Sequence, residues 1–335
     1  MRRLLAFLFA PLLLCAGCAA GTAEPCAAYL FAMDTYMELR VWGPEELVSE
    51  AGELLTDLEA RLSVTDPDSE ISGLNRTGEA DLSADTAALL AESLALCRRT
   101  AGALDLTVYP LVRAWGFTGD AFRVPAPDEI EELLARVGYE DVDLTGTHAE
   151  LPAGAALDLG SVAKGYAGRR IAERLRAAGV TSALLNLGGN VQTVGAKPDG
   201  SPWRVAIRDP DGEGLLGTLD VEDLAVVTSG GYERCFTENG VTYWHILDPA
   251  TGYPAKNGLV SVTVAGADGL VCDALSTALF VMGPERAADF WRESGDFEAV
   301  LVTEDGAILI TEGLADCFAP MEDYSGAEVT VIRRG

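Results

Sequence analysis

The 335 residues carry 24 basic against 52 acidic side chains, a net charge of −28, with 49% apolar residues. Such a surface repels nucleic acid, and the apolar fraction is high enough to bury a sizeable core, so neither a nucleic-acid binder nor a largely disordered chain fits. With only His148 and His245 and no CxxC pair beyond the N-terminal Cys15–Cys18 stretch, the usual His/Cys spacing of a zinc site is missing, while carboxylate chemistry toward hard cations stays open.

Arg2 and Arg3 precede an apolar run over residues 4–14, followed by Ala16 and Gly17 before Cys18. The run is shorter than the ~20 residues that cross a bilayer, and its order of charged, apolar and small residues is that of an export signal. Residues 1–17 are therefore expected to be removed, which leaves 22 basic and 52 acidic residues, or −30. Small residues before a cysteine resemble a bacterial lipobox, in which the Cys18 sulfur receives a diacylglycerol. Cys15 stands where leucine is usual, and plain secretion with an incidental Cys18 is the alternative. Either route carries the protein out of the cytoplasm. Residues 18–28 then form a lipidated N-terminus and linker, and residues 29–335 a single domain. Cys26, Cys97, Cys235, Cys272 and Cys317 are scattered and odd in number, unlike a disulfide framework.

FAMDTYMELRVWG, residues 31–43, alternates like one strand, and residues 45–62 have helical apolar spacing. LSVTDPDSEISGLNRTG, residues 62–78, is dense in turn formers and reads as a loop able to cover a ligand. Residues 82–99 form an amphipathic helix opened by Ser83 and ended near Gly102. A short helix is expected between Ala126 and Val137, then strands and turns over residues 141–157. In DLGSVAKGYAGRRIAERLRAAGV, residues 158–180, a glycine turn runs into a helix with Val162, Ala163, Tyr166, Ile171 and Leu175 on its apolar side, closed by Gly179. The segments from residue 182 to 249 alternate with Gly, Pro and Asp turns and predict a sheet-rich half. DALSTALFVMG is helical, and the C-terminal region returns to strands. Helices and strands do not alternate as a Rossmann fold requires, so one α+β unit is expected.

Three features carry chemistry. Lys164 follows the glycine turn, where helix amides and dipole favour an anion; it is not a Walker loop, and a solvated surface lysine is the alternative. Asp273 and Thr277 are one helical turn apart and present two oxygen ligands on one face, or else Asp273 caps the helix and Thr277 bonds back to a carbonyl. Magnesium needs few protein oxygens, and the Ser161 carbonyl would supply a third. His245 ends a strand at a Pro/Gly turn and is either structural or a general base; His148 belongs to the surface.

In order along the chain, FAMDTYMELRV, SEISGLN, AGALDLTVYPLVRAWGF, LDLGSVAKGYAGRRIAERL, LLNLGGNVQTVG, PWRVAIRDP, VVTSGGYER, HILDPATGYP and CDALSTALFVMG resemble the ApbE family, the FAD:protein FMN transferases. The resemblance spans nearly the whole mature chain. It implies a T-fold-like α+β architecture, a mostly antiparallel sheet core with packed helices. It implies an FAD site lined by Met33, Ala103, Leu104, Asp105, Asp158, Lys164 and Ile246, with Thr107 beside Asp105 holding polar groups of the nucleotide. It sets magnesium against Ser161, Asp273 and Thr277, and makes His245 the base that activates an acceptor hydroxyl. Thr65 departs from the pattern, because many members carry an aromatic there that stacks on the flavin nucleotide. An aromatic contact contributes about 1 kcal/mol beyond area burial, so hydrolysis of FAD to FMN and AMP is a rival outcome, and a noncatalytic FAD-binding lipoprotein a second. The acceptors implied are flavoprotein subunits of membrane redox complexes of the quinone reductase or Rnf type, reached from a lipid anchor on the extracytoplasmic side of the cell membrane.

Overall fold

The computed structural model describes residues 24–119, 121–212, 214–324 and 328–335. The export signal and Cys18 lie outside the described residues.

The first strand begins at Cys26, inside the stretch expected to be linker, and the stretch 31–43 is not one strand. Cys26–Ala32 and Thr35–Val41 form an antiparallel hairpin in which Ala32 faces Thr35. Its two turn residues, Met33 and Asp34, have φ of 49° and 59°, the left-handed pair that matches a two-residue turn to strand twist. Alternation alone hid the turn because Met33 is not a turn former and continues the strand's apolar run. Met33 is held there by its amide, which donates to Glu59 Oε1 at 2.8 Å.

This hairpin starts a nine-stranded sheet whose strands lie side by side in chain order: Cys26–Ala32, Thr35–Val41, Ala183–Asn186, Asn190–Val194, Ala225–Gly230, Leu259–Gly266, Phe297–Thr303, Ile308–Thr311 and Val329–Ile332. Every neighbouring pair is antiparallel except the last. One face is packed by helices α1 (Glu45–Leu62), α6 (Ala163–Ala177) and α7 (Gly269–Met282), which bury Leu55, Ile171 and Leu275 over Leu39, Leu185 and Val264. The other face is covered by a three-stranded sheet, Trp203–Arg208, Leu215–Val221 and Phe318–Pro320, which sets Val205, Ile207 and Leu219 against Val226, Val300 and Ile308. The α+β architecture with a mostly antiparallel core is the one expected.

The loop expected over residues 62–78 contains helix α2 (Glu70–Thr77). Ser69 caps it by accepting the Ser72 amide at 3.0 Å, Gly78 closes it at φ 82°, and Ile71 and Leu74 are buried. The turn-forming residues are therefore the caps of a short helix whose interior is fixed by tertiary burial. Helix α3 (Ala84–Arg99) is capped by Ser83, as its sequence predicts. Helices α4 (Tyr109–Ala114) and α5 (Pro127–Leu134) share a smaller cluster of Leu111, Trp115, Phe117, Ile130 and Leu247. Helix α8 (Pro284–Glu293) interrupts the C-terminal region expected to be strands; Pro284 starts it, and Ala287 and Trp291 anchor it.

Candidate functional site

The site forms where α6 meets α7. A Cβ on Gly165 would lie 2.1 Å from the Gly269 carbonyl oxygen, and one on Gly269 2.6 Å from that of Gly165. Only glycine at both positions permits this approach. Its chemical consequence is that the Gly165 amide donates to Asp273 Oδ2 at 2.7 Å. At an ordinary helix start this amide would turn back to the residue four earlier, Ser161. Among the described residues, the Ser161 carbonyl is thereby left without a donor.

Asp273 does not cap its helix. Asp268 does, accepting from Leu270 at 2.9 Å, and Asp273 sits one turn inside, 5% exposed. Thr277 does not bond back to a carbonyl either: its hydroxyl meets Ser229 Oγ at 3.3 Å, and it is Ser276 that returns to the Asp273 carbonyl, at 2.8 Å. Ser229, on the central strand Ala225–Gly230, thus orients the Thr277 hydroxyl.

Burial raises the Asp273 carboxyl above the usual carboxylate range, opposed by the Lys164 charge and the Gly165 amide. Asn190 lies beside it, 2% exposed, and its side chain favours the ionised carboxylate. The buried Asp273 carboxylate, the Ser161 carbonyl that the Gly165 amide leaves free and the Thr277 hydroxyl one turn along α7 are an all-oxygen donor set of the kind a small hard cation takes.

Lys164 links the remaining groups, since its charge favours the carboxylate form of Asp158 and the neutral form of His245. Asp158 accepts the Gly160 amide at 2.8 Å and is raised overall by burial. His245 has its Nδ1 buried and unpartnered, and its amide donates to the Arg234 carbonyl at 3.0 Å. Burial, with Arg234 and Lys164 nearby, lowers the imidazole pKa to about 4, so it is a neutral base at physiological pH. Arg234 reaches across to Asp34 at the turn of the first hairpin, at 3.2 Å, which brings the Met33 turn to the same side as His245. Ile246 is buried next to it, its carbonyl accepting from Ala255 at 2.9 Å.

Asp105 and Thr107 have other partners. Asp105 Oδ1 accepts the Thr107 amide at 2.8 Å and hydroxyl at 2.6 Å, Oδ2 accepts the Tyr139 amide at 3.2 Å, and Thr107 Oγ1 accepts the Gly138 amide at 2.8 Å. These bonds fix the turn that also buries Ala103 and Leu104, and the Asp158 amide ties it to the site through the Leu106 carbonyl at 2.8 Å. Thr65 is exposed on its loop, paired with Ser63 Oγ at 3.2 Å. His148 is on the surface beside Asp81 at 2.9 Å.

Sequence reasoning did not select Asn190, Ser229, Arg234 or Gly165. Asn190 follows a Gly–Gly pair, a pattern of close backbone approach, but its neighbour Asp273 is 83 positions away and only the fold joins them.

Lys164 and the start of α6 thus lie near the buried oxygens of Asp273, a pairing of positive charge and hard-oxygen donors that could hold an anionic ligand together with a cation. Residues 33–301 match the ApbE family. The chain is 36% identical over 284 residues to the FAD:protein FMN transferase of Treponema pallidum, covering 78% of each. It is 35% identical over 297 residues to a Klebsiella pneumoniae protein of the same name, covering 85% of this chain and 90% of that one. The crystal structure of the ApbE protein from Thermotoga maritima superposes with a TM-score of 0.81 at 34% identity, over 87% of this chain and 98% of that one. The flavin transferase ApbE from Vibrio cholerae gives 0.79 at 29% identity, over 88% and 99%. The chain belongs to the ApbE family.

Proposed function

We propose that this protein is an FAD:protein FMN transferase that moves FMN from FAD to a Thr or Ser hydroxyl of an acceptor flavoprotein and releases AMP, with magnesium at Ser161, Asp273 and Thr277. Its relatives carry that enzyme name at 32–38% identity. The observation that carries the mechanism is the pairing of Asp273 with the Gly165 amide, which frees the Ser161 carbonyl beside a buried carboxylate. A bound magnesium ion would neutralise charge on the diphosphate.

His245 takes the proton from the acceptor hydroxyl. The hydroxyl oxygen then forms a bond to the FMN phosphorus, the bond from that phosphorus to the bridging oxygen breaks, and AMP leaves with its electron pair. Lys164 and the amides at the start of α6 hold the phosphates and stabilise the charge that builds on them. Met33, Ala103, Leu104, Asp158 and Ile246 line the FAD pocket, with Asp105 and Thr107 shaping its wall.

The exposed, nonaromatic Thr65 favours a second outcome, in which water replaces the acceptor and FMN is released free. The chain is exported and lipid-anchored through Cys18, facing acceptor subunits of membrane redox complexes. Incubating an acceptor domain with the protein, FAD and magnesium tests these readings by mass spectrometry. An FMN adduct with matching AMP is expected; AMP with free FMN alone means hydrolysis, and neither product means a binding protein.

A further inference from the structure

The nine-stranded sheet is covered by helices on one face and by the small sheet on the other, but the second cover stops short. Its apolar contacts extend as far as Trp42 and Leu184, with Trp42 packed on Trp203 at 5.5 Å. Beyond them the first hairpin turns the same face to solvent. Tyr29, Phe31 and Tyr36 stand there at 73%, 60% and 82% exposure, well above the scatter of singly exposed apolar residues that surfaces tolerate. Phe31 and Tyr36 are cross-strand partners with rings 5.2 Å apart, edge to face. The opposite alternation, Ala28, Leu30 and Ala32, packs into the core, so the aromatics cannot turn inward without a register slip.

The patch is electrically neutral. Tyr29 donates to Glu38 at 3.0 Å, and Glu38 is paired with Arg40 at 2.6 Å. Cys18 precedes the start of this strand by eight residues, which span at most ~28 Å when extended. A lipid on Cys18 therefore keeps the hairpin within reach of the bilayer surface.

We propose that the Tyr29, Phe31 and Tyr36 face of the first hairpin is a membrane-contact patch, seated at the headgroup level of a neutral lipid surface when Cys18 is anchored. The inference rests on the lipid-anchor reading above. Aromatic rings with an apolar body and a polar tip partition to that level. The diacylglycerol holds the protein at the membrane and the patch orients it. Because Asp34 at the hairpin turn pairs with Arg234 beside His245, seating the patch fixes how the site stands relative to the membrane that carries the acceptor. With a charge of −30 on the anchored chain, contact should not strengthen when anionic lipid is added.

The test uses the full lipidated protein in phosphatidylcholine vesicles containing a lipid with a photoactivatable group near its headgroup, with cross-links mapped by mass spectrometry. Cross-links are expected on the peptide spanning residues 24–41 as well as on the N-terminal lipopeptide. The combined variant Tyr29→Ser, Phe31→Ser, Tyr36→Ser should lose the former and keep the latter, with unchanged melting temperature and FAD cleavage. Cross-links confined to the lipopeptide in the unsubstituted protein would overturn the patch and leave the anchor intact. An N-terminal peptide whose mass carries no lipid overturns both. A hairpin that shows no lipid cross-links but becomes shielded when an acceptor domain is added assigns the face to a protein partner instead.

Discussion

His245 shows how a side chain whose Nδ1 is buried is kept neutral, the state its proposed role as a base requires. Its folded pKa, about 4, lies below the ordinary 6.5. Between those values the unfolded chain binds the proton and the native one does not, so this group's contribution to stability is intact above pH 6.5 and is lost as the pH falls toward 4. The same shift keeps the imidazole neutral through the physiological range. In the free enzyme the acid limb of kcat/KM is expected near pH 4; a limb centred near 6.5 would mean an imbalance of burial the structure does not contain. His245→Ala should lower kcat for transfer about 10²–10⁴-fold while leaving FAD affinity largely unchanged, measured by single-turnover AMP release and FAD fluorescence. Asp273→Ala should abolish magnesium-dependent turnover, and residual activity that still rises with magnesium would remove Asp273 from the ligand set. The Asp273–Thr277 spacing made the pair visible in the sequence. That Asp268 is the cap, which frees Asp273 for the crevice, was decided by where α7 begins.

At the scale of elements, the contact between α6 and α7 controls the site. Gly165→Ala forces a methyl toward the Gly269 carbonyl, 2.1 Å away, and overpacking of this kind costs about 1–3 kcal/mol. Separating the helices also breaks the Gly165–Asp273 bond, so this variant should lose melting temperature and magnesium-dependent activity together. Retained activity at lowered stability would show that the crossing serves packing only. Helix α2 makes a smaller, cleaner case: Ser69→Ala removes a cap worth about 1 kcal/mol, measurable by urea unfolding. The sequence showed α1, α3, α6 and α7 because each has a long apolar period and several have caps. It concealed α2 and α8, which are short, and the Met33–Asp34 turn, where a left-handed methionine is tolerated only because Glu59 and Arg234 hold the turn from other elements.

At the scale of the molecule, an acidic protein holds the proposed cation site at the junction of two helices and a central strand. Ligand binding to the native state alone stabilises it by ~2.7 kcal/mol at a hundredfold excess over Kd. Magnesium should therefore raise the melting temperature of the unsubstituted protein and leave that of Asp273→Ala unmoved; an equal rise in both would indicate a site elsewhere. Composition and motif order by themselves determined the α+β class, the helices with strong periodicity, the family resemblance and the candidate residues, because these properties are local or additive along the chain. The tertiary structure alone decided that Asp273 meets Gly165, that Asn190 is buried beside it, that Asp105 and Thr107 are occupied by the 138–139 backbone, and that three aromatics lie beyond the edge of the covering sheet. Each of these depends on which distant segments are brought within a few ångströms, and that is fixed by close packing across the sheet rather than by any spacing along the chain.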